Sequence, residues 1–336
     1  MREALLYEIL DRDRVRCHLC AHRCLIKPDE TGICGVRVNQ GGRLFTRVYG
    51  MSISANSDPI EKKPLFHFLP GTTSFSIATV GCNFTCNFCQ NHDISQMPRD
   101  QGRILGRELE PSDIVAQAKR RQDASISYTY TEPTIFFEYA LDTARAAAAA
   151  GLKNVFVTNG YMTEETLRMI GPDLHAANVD LKASRDDFYK KLCQAKLEPV
   201  KETIVRMKEM GVWVEVTTLI IPGYNDNENE LTELAEWLVG INPEIPWHIT
   251  RFHPTYRLLD SGPTPAVLIH RAREIGLKAG LHYVYSGNIW GDEGEKTYCH
   301  NCHQLLIDRT GFSVSTNLLR QGACPNCNTP MAGVGL

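Results

Sequence analysis

Three cysteines within eight residues are the feature of this sequence most suited to chemistry. Cys82, Cys86 and Cys89 have the spacing C-x3-C-x2-C in the segment CNFTCNFCQN. Thiolates held this close together are typical ligands of iron–sulfur clusters. A four-iron cluster takes four ligands, so three thiolates leave one iron open to a substrate or cofactor. A fourth ligand from elsewhere in the chain would instead give a closed electron-transfer cluster or a zinc site.

The segments around these cysteines predict regular structure from about residue 74 onwards. Runs rich in β-branched and aromatic residues predict strands at 74–80, 125–130, 153–158, 176–182, 212–220, 246–252 and 282–287. Helical patterns lie between them at 111–122, 134–151, 164–170, 198–211, 228–240 and 265–276. Ser112 and Gly151 are predicted to cap the first two helices. Apolar strands alternating with helices predict a parallel sheet covered by helices.

The segment CNFTCNFC resembles the C-x3-C-x-aromatic-C motif of radical S-adenosylmethionine (SAM) enzymes, with Phe88 at the aromatic position. The resemblance covers roughly residues 70–290. It is similar to the branch that contains the pyruvate formate-lyase activating enzymes, and more similar to the radical SAM proteins of the AmmeMemoRadiSam system. The segments that carry it are GCNFTCNFCQNHDIS, YTYTEPTIFFEYA, VFVTNGY, VDLKA, LIIPGYND and SGNIWGDEG. Each lies at or just after a predicted strand end, where parallel sheets bind ligands.

The resemblance implies both a fold and a reaction. Together with about six β/α units, it favours a partial (β/α)6 TIM-like barrel over an open doubly wound sheet. In the family, the amino and carboxylate groups of SAM bind the open iron of a [4Fe-4S] cluster. An electron from the cluster breaks the sulfonium C–S bond, and a 5′-deoxyadenosyl radical forms. Cys82, Cys86 and Cys89 would hold the cluster here, and a ferredoxin or flavodoxin is the implied reductant.

Polar residues near the predicted strand ends are candidates for binding SAM. Glu132 could accept a hydrogen bond from the SAM ammonium, although this chain has Tyr-Thr-Glu where the family has an acidic Gly-Gly-Glu motif. Thr158, Asn159 and Gly160 offer polar groups and a close approach of the backbone. The alternatives are that Asn159 and Gly160 form only a turn and that Phe88 only packs in the core.

Further along the chain, Asp180 and Lys182 could hold the ribose hydroxyls and the carboxylate of SAM, since they share one face of a predicted strand. They could equally form an ion pair that closes the end of the barrel. Pro222 and Gly223 would bring the backbone close to the adenine, or form a simple loop. His253 resembles a histidine near the ribose in the activating enzymes, and the alternative is a hydrogen-bonded core histidine.

Val157 marks a departure from the activating enzymes, which commonly have Asp before Thr-Asn-Gly. In some of those enzymes the Asp helps to hold a cation near SAM. A valine side chain has no ligand atom, so this departure puts both that cation site and a glycyl-radical role in doubt.

Four cysteines near the C-terminus predict a second kind of metal site. Two C-x2-C pairs, separated by twenty-one residues, form a zinc-ribbon pattern. Four thiolates would close a tetrahedral site and organise a tail too small to build its own core. Rubredoxin-type iron is the alternative to zinc, and the expected role is structural or the docking of a partner. The four residues are Cys299, Cys302, Cys324 and Cys327.

Four more cysteines near the N-terminus resemble the N-terminal segment of the same group of proteins. Their spacing of x2, x3 and x9 suits zinc or an auxiliary four-iron cluster. His18 and His22 could substitute as ligands, and the thiols could also be free and buried. The sequence favours a structural metal site without deciding its metal. The four residues are Cys17, Cys20, Cys24 and Cys34.

Composition sets the remaining bounds. The chain has 336 residues and a net charge of −3, which predicts neither a nucleic-acid surface nor a membrane surface. It has no apolar signal core at the start, and all of its cysteines except Cys193 fall in the three groups, so we expect a cytoplasmic metal-binding protein. The predicted organisation is a cysteine-rich segment over 1–70, a barrel over 71–292 and a zinc-ribbon-like module over 293–336.

The sequence therefore predicts a radical SAM enzyme that cleaves SAM reductively and abstracts hydrogen from an unidentified substrate. One alternative is an activating enzyme that installs a glycyl radical on a partner protein. An alternative from another class is a non-catalytic iron–sulfur or zinc scaffold, or an electron-transfer protein. The name of the resembled group links such chains to a Memo-like protein, which is a candidate partner by association only.

Overall fold

An eight-stranded sheet forms the centre of the computed structural model, which describes residues 1–336. Its strands are β1 Ser54–Pro59, β2 Thr73–Ala78, β3 Ser125–Tyr128, β4 Lys153–Thr158, β5 Ala176–Asp180, β6 Trp213–Ile220, β7 Trp247–Arg251 and β8 Val284–Gly287. β2 to β8 are parallel, and β1 pairs antiparallel with β2. The seven parallel strands lie within two residues of the predicted bounds at each end.

Six helices connect the parallel strands: α1 Pro111–Arg120, α2 Phe137–Ala149, α3 Glu164–Ile170, α4 Glu198–Glu209, α5 Glu228–Ile241 and α6 Ala266–Ala279. The predicted cap Gly151 follows α2 with a φ of 81°, a conformation that glycine adopts without strain. The prediction for Ser112 is wrong. Pro111 takes the first position of α1, so Glu110 is the N-cap and Ser112 lies inside the helix.

Short helices also occur in the connections. They are Ile60–Lys62, His92–Ser95, Met97–Asp100, Pro133–Phe136, Gly171–Asp173, Asp186–Phe188, the π-helix Tyr189–Cys193 and Glu293–Glu295. No helix of the structure combines the length and the apolar character that crossing a bilayer requires. The α/β class predicted from the sequence is thus confirmed, with helices between all of the parallel strands.

The strand order bears on the choice between an incomplete barrel and a doubly wound sheet. A doubly wound sheet reverses its strand order at one point. Here the order follows the chain from β1 to β8 without a reversal, which favours the incomplete barrel. β1 and β8 are not hydrogen-bonded to each other, so the sheet keeps two free edges.

The sequence predicted no regular structure before about residue 74. The structure, however, contains short antiparallel strands in the N-terminal segment. Arg2–Glu3, Arg37–Gln40 and Arg43–Thr46 form one sheet, and Tyr7–Leu10, Arg14–Cys17 and Leu25–Ile26 form another. A two-stranded ribbon joins Met51–Ser52 to Arg107–Glu108. These strands have only two to four residues and carry many charged side chains, so they lack the apolar alternation that reveals a strand in sequence.

The C-terminal module is a small antiparallel sheet of Thr297–Tyr298, Leu305–Thr310 and Ser313–Asn317. The buried side chain of Arg309 attaches it to the rest of the chain. Its Nη1 donates to Thr297 Oγ1 at 2.6 Å and its Nη2 donates to the Phe66 carbonyl at 2.7 Å. Because a buried guanidinium needs such partners, the bond to Phe66 fixes the module against the segment that precedes β2.

Candidate functional site

One cavity at the carboxyl ends of the parallel strands collects most of the predicted site residues. Its volume is about 380 Å³. Nine of the thirteen residues predicted to bind the cluster or SAM line it: Cys82, Cys86, Phe88, Cys89, Glu132, Thr158, Asn159, Asp180 and Lys182. They come from the loops after β2, β3, β4 and β5, whose ends meet at one edge of the sheet. Sequence positions a hundred residues apart are thereby brought together.

The cysteine loop is held in place by a short helix that follows it. Arg99 of Met97–Asp100 donates from Nη2 to the Cys82 carbonyl at 2.6 Å and from Nη1 to the Phe84 carbonyl at 2.8 Å. Gln96 Nε2 donates to the same Phe84 carbonyl at 3.1 Å. These bonds pair the loop's carbonyl groups, so the thiols are held on a fixed backbone.

The π-helix Tyr189–Cys193 supports the other side of the loop. The backbone N–H of Thr85 donates to the Cys193 carbonyl at 3.1 Å, and that of Asn87 donates to the Leu192 carbonyl at 2.9 Å. This places the Cys193 thiol next to Cys86. A π-helix often marks a functional site, and this one positions the cluster loop. Cys193 was assigned no role from the sequence, and its sequence context does not indicate this contact.

The three thiols of the loop have the spacing and the partners of cluster ligands. Their sulfurs do not all lie within 4.8 Å of one another, which is wider than four ligands around one ion allow. Cys82 Sγ accepts from the Phe84 N–H at 3.4 Å, and Cys89 Sγ lies 3.2 Å from Ser95 Oγ. Burial raises the pKa of Cys82 and of Cys89, and a bound cation would oppose that rise by stabilising the thiolates. The arrangement fits a [4Fe-4S] cluster with one iron facing the cavity.

Glu132 is a buried residue of the cavity wall, and its carboxylate accepts several hydrogen bonds. Its Oε1 accepts from the Thr134 N–H at 3.0 Å, from the Thr134 hydroxyl, and from Thr158 Oγ1 at 2.8 Å. Its Oε2 accepts from the Asn159 N–H at 2.8 Å. Burial raises the pKa of Glu132, while these hydrogen bonds oppose the rise. Oε1 has no lone pair to spare, but Oε2 retains one for a ligand.

The Thr-Asn-Gly turn after β4 forms the floor beside Glu132. Asn159 Nδ2 donates to Asn83 Oδ1 at 2.7 Å and approaches Cys82 Sγ at 3.8 Å. Gly160 has a φ of 70°, and a Cβ there would lie 2.8 Å from a methyl of Val179. Only glycine fits this close approach, so the turn both shapes the backbone and points an amide at the cluster loop.

Asp180 and Lys182 form an ion pair on the cavity wall, with Nζ and Oδ2 2.8 Å apart. The Lys182 side chain is 11% exposed and Asp180 is 38% exposed, so the carboxylate is the more open partner. The ammonium also lies 5.7 Å from the centre of the Phe88 ring. Burial disfavours the charged lysine, but Asp180, Cys86 and Cys193 together outweigh it and raise the pKa of Lys182. The pair therefore presents both a cation and an anion to a ligand.

Besides Gly160, three residues with a suggested role do not line this cavity. His253 is exposed and lines a neighbouring cavity of about 470 Å³ instead. Pro222 and Gly223 form a turn beyond β6 that lines neither cavity. The turn is held by a hydrogen bond from the Gly223 N–H to Asp226 Oδ1 at 2.9 Å. The structure therefore does not place backbone of this turn where a ligand in the cavity would reach it.

The two cavities are neighbours with a shared wall. The residues that line both are Pro64, Gln90, Thr250, Asn288 and Phe312. His248 also lines the second cavity, and its Nε2 pairs with the buried Glu215 at 2.7 Å while its Nδ1 has no partner within the protein. A small molecule or side chain in the second cavity would therefore lie against the contents of the first.

Sequence analysis missed several residues of the cavity wall. Thr217 on β6 and Thr250 on β7 are polar residues near strand ends, a signal that could have found them. Phe312 had no such signal, because it lies at the turn of a hairpin in the C-terminal module. Its presence in both cavities shows that this module contributes to the site.

The two outer cysteine groups differ in their geometry. In the C-terminal group all four sulfurs lie within 4.8 Å of one another, as the ligands of one metal ion do. Cys299 and Cys327 are 3.6 Å apart, and so are Cys302 and Cys324. Hydrogen bonds from Thr329 lower the pKa of Cys327 to about 6, which favours the thiolate. The N-terminal group lines one small enclosed space, but no three of its sulfurs lie within 4.8 Å of one another.

Comparison with known proteins places the chain in a family. Residues 76–238 match the family model of the Radical SAM superfamily. An uncharacterised protein of Methanocaldococcus jannaschii is 49% identical over 314 residues, which cover 93% of each chain. The pyruvate formate-lyase-activating enzyme of Clostridium pasteurianum is 23% identical over 182 residues, covering 50% of this chain and 72% of that protein. This chain belongs to the radical SAM superfamily.

A solved structure supports the fold. The crystal structure of a radical SAM methyltransferase from Sphaerobacter thermophilus has a TM-score of 0.52 and 21% sequence identity. The match covers 68% of this chain and 71% of the methyltransferase chain. The likeness agrees with an α/β partial barrel. Membership of the superfamily implies an iron–sulfur cluster, SAM and an electron donor.

Proposed function

We propose that this protein cleaves SAM reductively at a [4Fe-4S] cluster held by Cys82, Cys86 and Cys89, and that the resulting radical abstracts hydrogen from a substrate. The observation that supports this is the convergence of the three thiols and the polar SAM-binding candidates on one cavity. When bound, the cluster supplies the electron that breaks the sulfonium C–S bond of SAM. The chain's own residues bind, orient and shield the reactants.

Each end of SAM has a counterpart in the cavity. Oε2 of Glu132 can accept from the SAM ammonium, because its only partner is the Asn159 N–H. Lys182 offers a buried cation for the SAM carboxylate, and Asp180 offers a more open carboxylate for the ribose hydroxyls. The ion pair holds both groups in fixed positions before the ligand arrives, which reduces the entropy lost on binding.

The second cavity is the proposed substrate site. Its volume of about 470 Å³ suits a small molecule or a side chain of a partner protein. His248 and His253 line it, so it offers polar contacts as well as the aromatic walls of Phe66 and Phe312. A substrate bound in the second cavity would place a C–H bond at the shared wall, next to the radical formed in the first cavity.

Activation of a glycyl-radical enzyme is the second candidate function. The similarity to the activating enzyme of Clostridium pasteurianum favours it, and the substrate would then be a glycine of a partner protein. Val157, which lines the first cavity, argues against it, because its side chain cannot ligate a cation. An added candidate glycyl-radical protein that gains a radical signal in electron paramagnetic resonance would favour activation.

Zinc is the metal we propose for the C-terminal cysteines. A tetrahedral site with Zn–S bonds of about 2.3 Å separates its sulfurs by about 3.8 Å. The observed separations of 3.6 Å between Cys299 and Cys327 and between Cys302 and Cys324 are close to that value. Metal analysis of the purified protein would distinguish zinc from a single iron.

The deciding experiment measures 5′-deoxyadenosine formed from SAM. The protein is reconstituted anaerobically with iron and sulfide and reduced with dithionite. We expect product from the parent and none from the variant Cys82→Ala/Cys86→Ala/Cys89→Ala. Cys193→Ala is the matched control, since it removes a neighbouring thiol that is not a predicted ligand. Absence of product from parent protein that carries a full cluster would refute the proposal.

A further inference from the structure

The four N-terminal cysteines surround one small enclosed space. They come from the end of strand Arg14–Cys17 and from the two loops that follow it. The space is lined by all four thiols together with the apolar side chains of Leu19, Ile26 and Ile135. Four thiols that converge on one enclosed space offer a complete set of soft ligands, with no position left for SAM.

Histidines near these cysteines are bonded elsewhere and do not complete a different ligand set. His22 Nε2 pairs with the Asn83 carbonyl at 2.8 Å. His18 Nδ1 pairs with Arg23 at 2.7 Å, and its Nε2 lies 3.6 Å from Glu8. His22 also lines the space, but its Nε2 is engaged with the Asn83 carbonyl, and four thiolates supply one ligand for each iron of a four-iron cluster without either histidine.

The separation of the sulfurs distinguishes a cluster from a single ion. In a four-iron cluster each thiolate binds a different iron, so the sulfurs stand farther apart than four sulfurs around one zinc. The protein contains two other groups of cysteines with which the N-terminal sulfurs can be compared. The C-terminal sulfurs all lie within 4.8 Å of one another, whereas those of Cys82, Cys86 and Cys89 do not. Like those of Cys82, Cys86 and Cys89, the N-terminal sulfurs do not form so tight a group, which a four-iron cluster accommodates and one tetrahedral ion does not.

A buried arginine beside the space lacks partners that such a cluster would supply. Arg37 is only 1% exposed and lines the same space as the four thiols. Its Nη2 reaches the Leu5 carbonyl and Glu138, but its Nε and Nη1 have no hydrogen-bond partner. Unpaired donors of a buried cation are costly, and the sulfurs of an anionic cluster accept hydrogen bonds from such donors.

We propose that Cys17, Cys20, Cys24 and Cys34 hold a second [4Fe-4S] cluster, and that Arg37 compensates part of its negative charge. Every iron of this cluster has a protein thiolate, so it does not bind SAM. The proposal does not depend on the proposed SAM cleavage. It goes beyond the radical SAM motif, which accounts for one cluster only.

Contacts between the two cysteine segments suit an exchange of electrons between the clusters. Besides the bond from His22 to the Asn83 carbonyl, Arg99 Nε donates to the Ile33 carbonyl at 2.8 Å while its Nη2 donates to the Cys82 carbonyl. A Cβ atom added to Gly81 would lie 3.1 Å from the carbonyl oxygen of Cys34. The two sites are thus joined by packed backbone.

Metal analysis of the full-length Cys82→Ala/Cys86→Ala/Cys89→Ala variant tests the proposal, because this variant keeps all N-terminal cysteines. After anaerobic reconstitution we expect about four irons and about four sulfides per chain, with an absorption band that dithionite bleaches. SAM should leave the electron paramagnetic resonance spectrum of the reduced variant unchanged. A variant with zinc in place of this iron, or with no metal beyond the C-terminal ion, would overturn the assignment.

Three further variants test the ligands of this cluster and the role of Arg37. Adding Cys17→Ala/Cys20→Ala should remove the remaining iron while the C-terminal metal stays bound. In an otherwise native chain, Arg37→Gln should shift the midpoint potential of this cluster to a more negative value, because the added electron loses a neighbouring positive charge, and Arg37→Lys should restore part of the shift. If the iron persists without Cys17 and Cys20, it is bound elsewhere and the assignment fails. If the Arg37→Gln potential is unchanged, Arg37 does not face the cluster.

Discussion

Glu132 joins three parts of the cavity wall through one carboxylate. It accepts hydrogen bonds from Thr134, from Thr158 and from the backbone of Asn159. Bonds from so many donors hold the carboxylate in one orientation, with its second oxygen available to a ligand. The residue therefore has a structural role and a binding role, and the two can be separated by the choice of ligand.

We predict that Glu132→Gln weakens SAM binding about tenfold or more, since a hydrogen bond to a charged group contributes roughly 1.5–3 kcal/mol. The binding of 5′-methylthioadenosine, which lacks the amino acid part of SAM, should change little. Equilibrium dialysis of both ligands against the reconstituted protein measures the difference. If both ligands weaken equally, Glu132 only supports the wall and the ammonium binds elsewhere.

At the level of single residues, most of the residues that the sequence singled out for the cluster or SAM line the first cavity, because each lies at or just after the end of a parallel strand. The same rule cannot give the direction of a longer loop. His253 follows β7 by two residues, yet it faces the second cavity. Phe312 reaches both cavities from a hairpin far along the chain, and nothing in its local sequence indicates that contact.

At the level of elements, β6 carries a carboxylate that connects the sheet to other segments. Glu215 is fully buried and accepts from the backbone N–H groups of Phe66 and His67 at 2.9 and 2.8 Å. It also accepts from Trp213 Nε1 at 3.0 Å and from His248 Nε2 at 2.7 Å. Burial disfavours the carboxylate, but the bonds from His248 and its other neighbours hold the pKa of Glu215 below its usual range.

We predict that Glu215→Gln lowers the free energy of unfolding by about 3–5 kcal/mol, because the new amide NH2 faces buried donors that need an acceptor. The midpoint of thermal unfolding should fall accordingly. Glu202→Gln is the matched control, since Glu202 is half exposed and pairs only with Arg206 on the same helix. A surface pair of this kind contributes less than about 1 kcal/mol. Equal effects of the two substitutions would contradict the role of Glu215.

His67 gives the same network a dependence on pH. Burial lowers the pKa of His67 to about 4, although Glu215 opposes the shift, and Arg309 and His248 add to it. The unfolded chain binds a proton at this residue below about pH 6.5, and the folded chain does not until about pH 4. Stability should therefore fall as the pH decreases through this window.

We predict that the free energy of unfolding falls by about 2 kcal/mol between pH 7 and pH 5 because of His67. The midpoint of thermal unfolding, followed against pH, measures this loss. His67→Gln removes the titrating group, so the variant should lose less stability than the parent over the same range. Loss of acid-sensitive clusters affects both proteins alike and cancels in the comparison. Parallel curves for the two proteins would show that His67 is not the source.

The sequence pattern predicted the parallel strands and the helices between them well, but it missed the strands that are rich in polar residues. β2 to β8 are buried on both faces, so their runs of apolar residues are visible in the sequence. β1 has the sequence SANSDP and joins the sheet only through antiparallel pairing with β2. A polar edge strand of this kind is specified by its partner and not by its own pattern.

At the level of the whole molecule, the C-terminal module is attached to the radical SAM part by buried contacts, among them those of Arg309. Arg309 joins Thr297 to the Phe66 carbonyl, and its guanidinium lies 4.4 Å from the centre of the Phe66 ring. Phe312 extends from the same hairpin into both cavities. A metal bound by the four cysteines of this module would therefore influence the shape of a site to which it contributes no ligand.

We predict that Cys302→Ser/Cys327→Ser removes the C-terminal metal and loosens two regions at once. Hydrogen–deuterium exchange should rise over residues 297–317, because the small sheet has little core of its own. It should also rise over residues 61–71, because Arg309 no longer holds the Phe66 carbonyl. Arg309→Met is the matched control, and it should raise exchange in the second region while the metal stays bound. If exchange rises only within the module, the two parts are independent and the cavity wall does not rely on the metal.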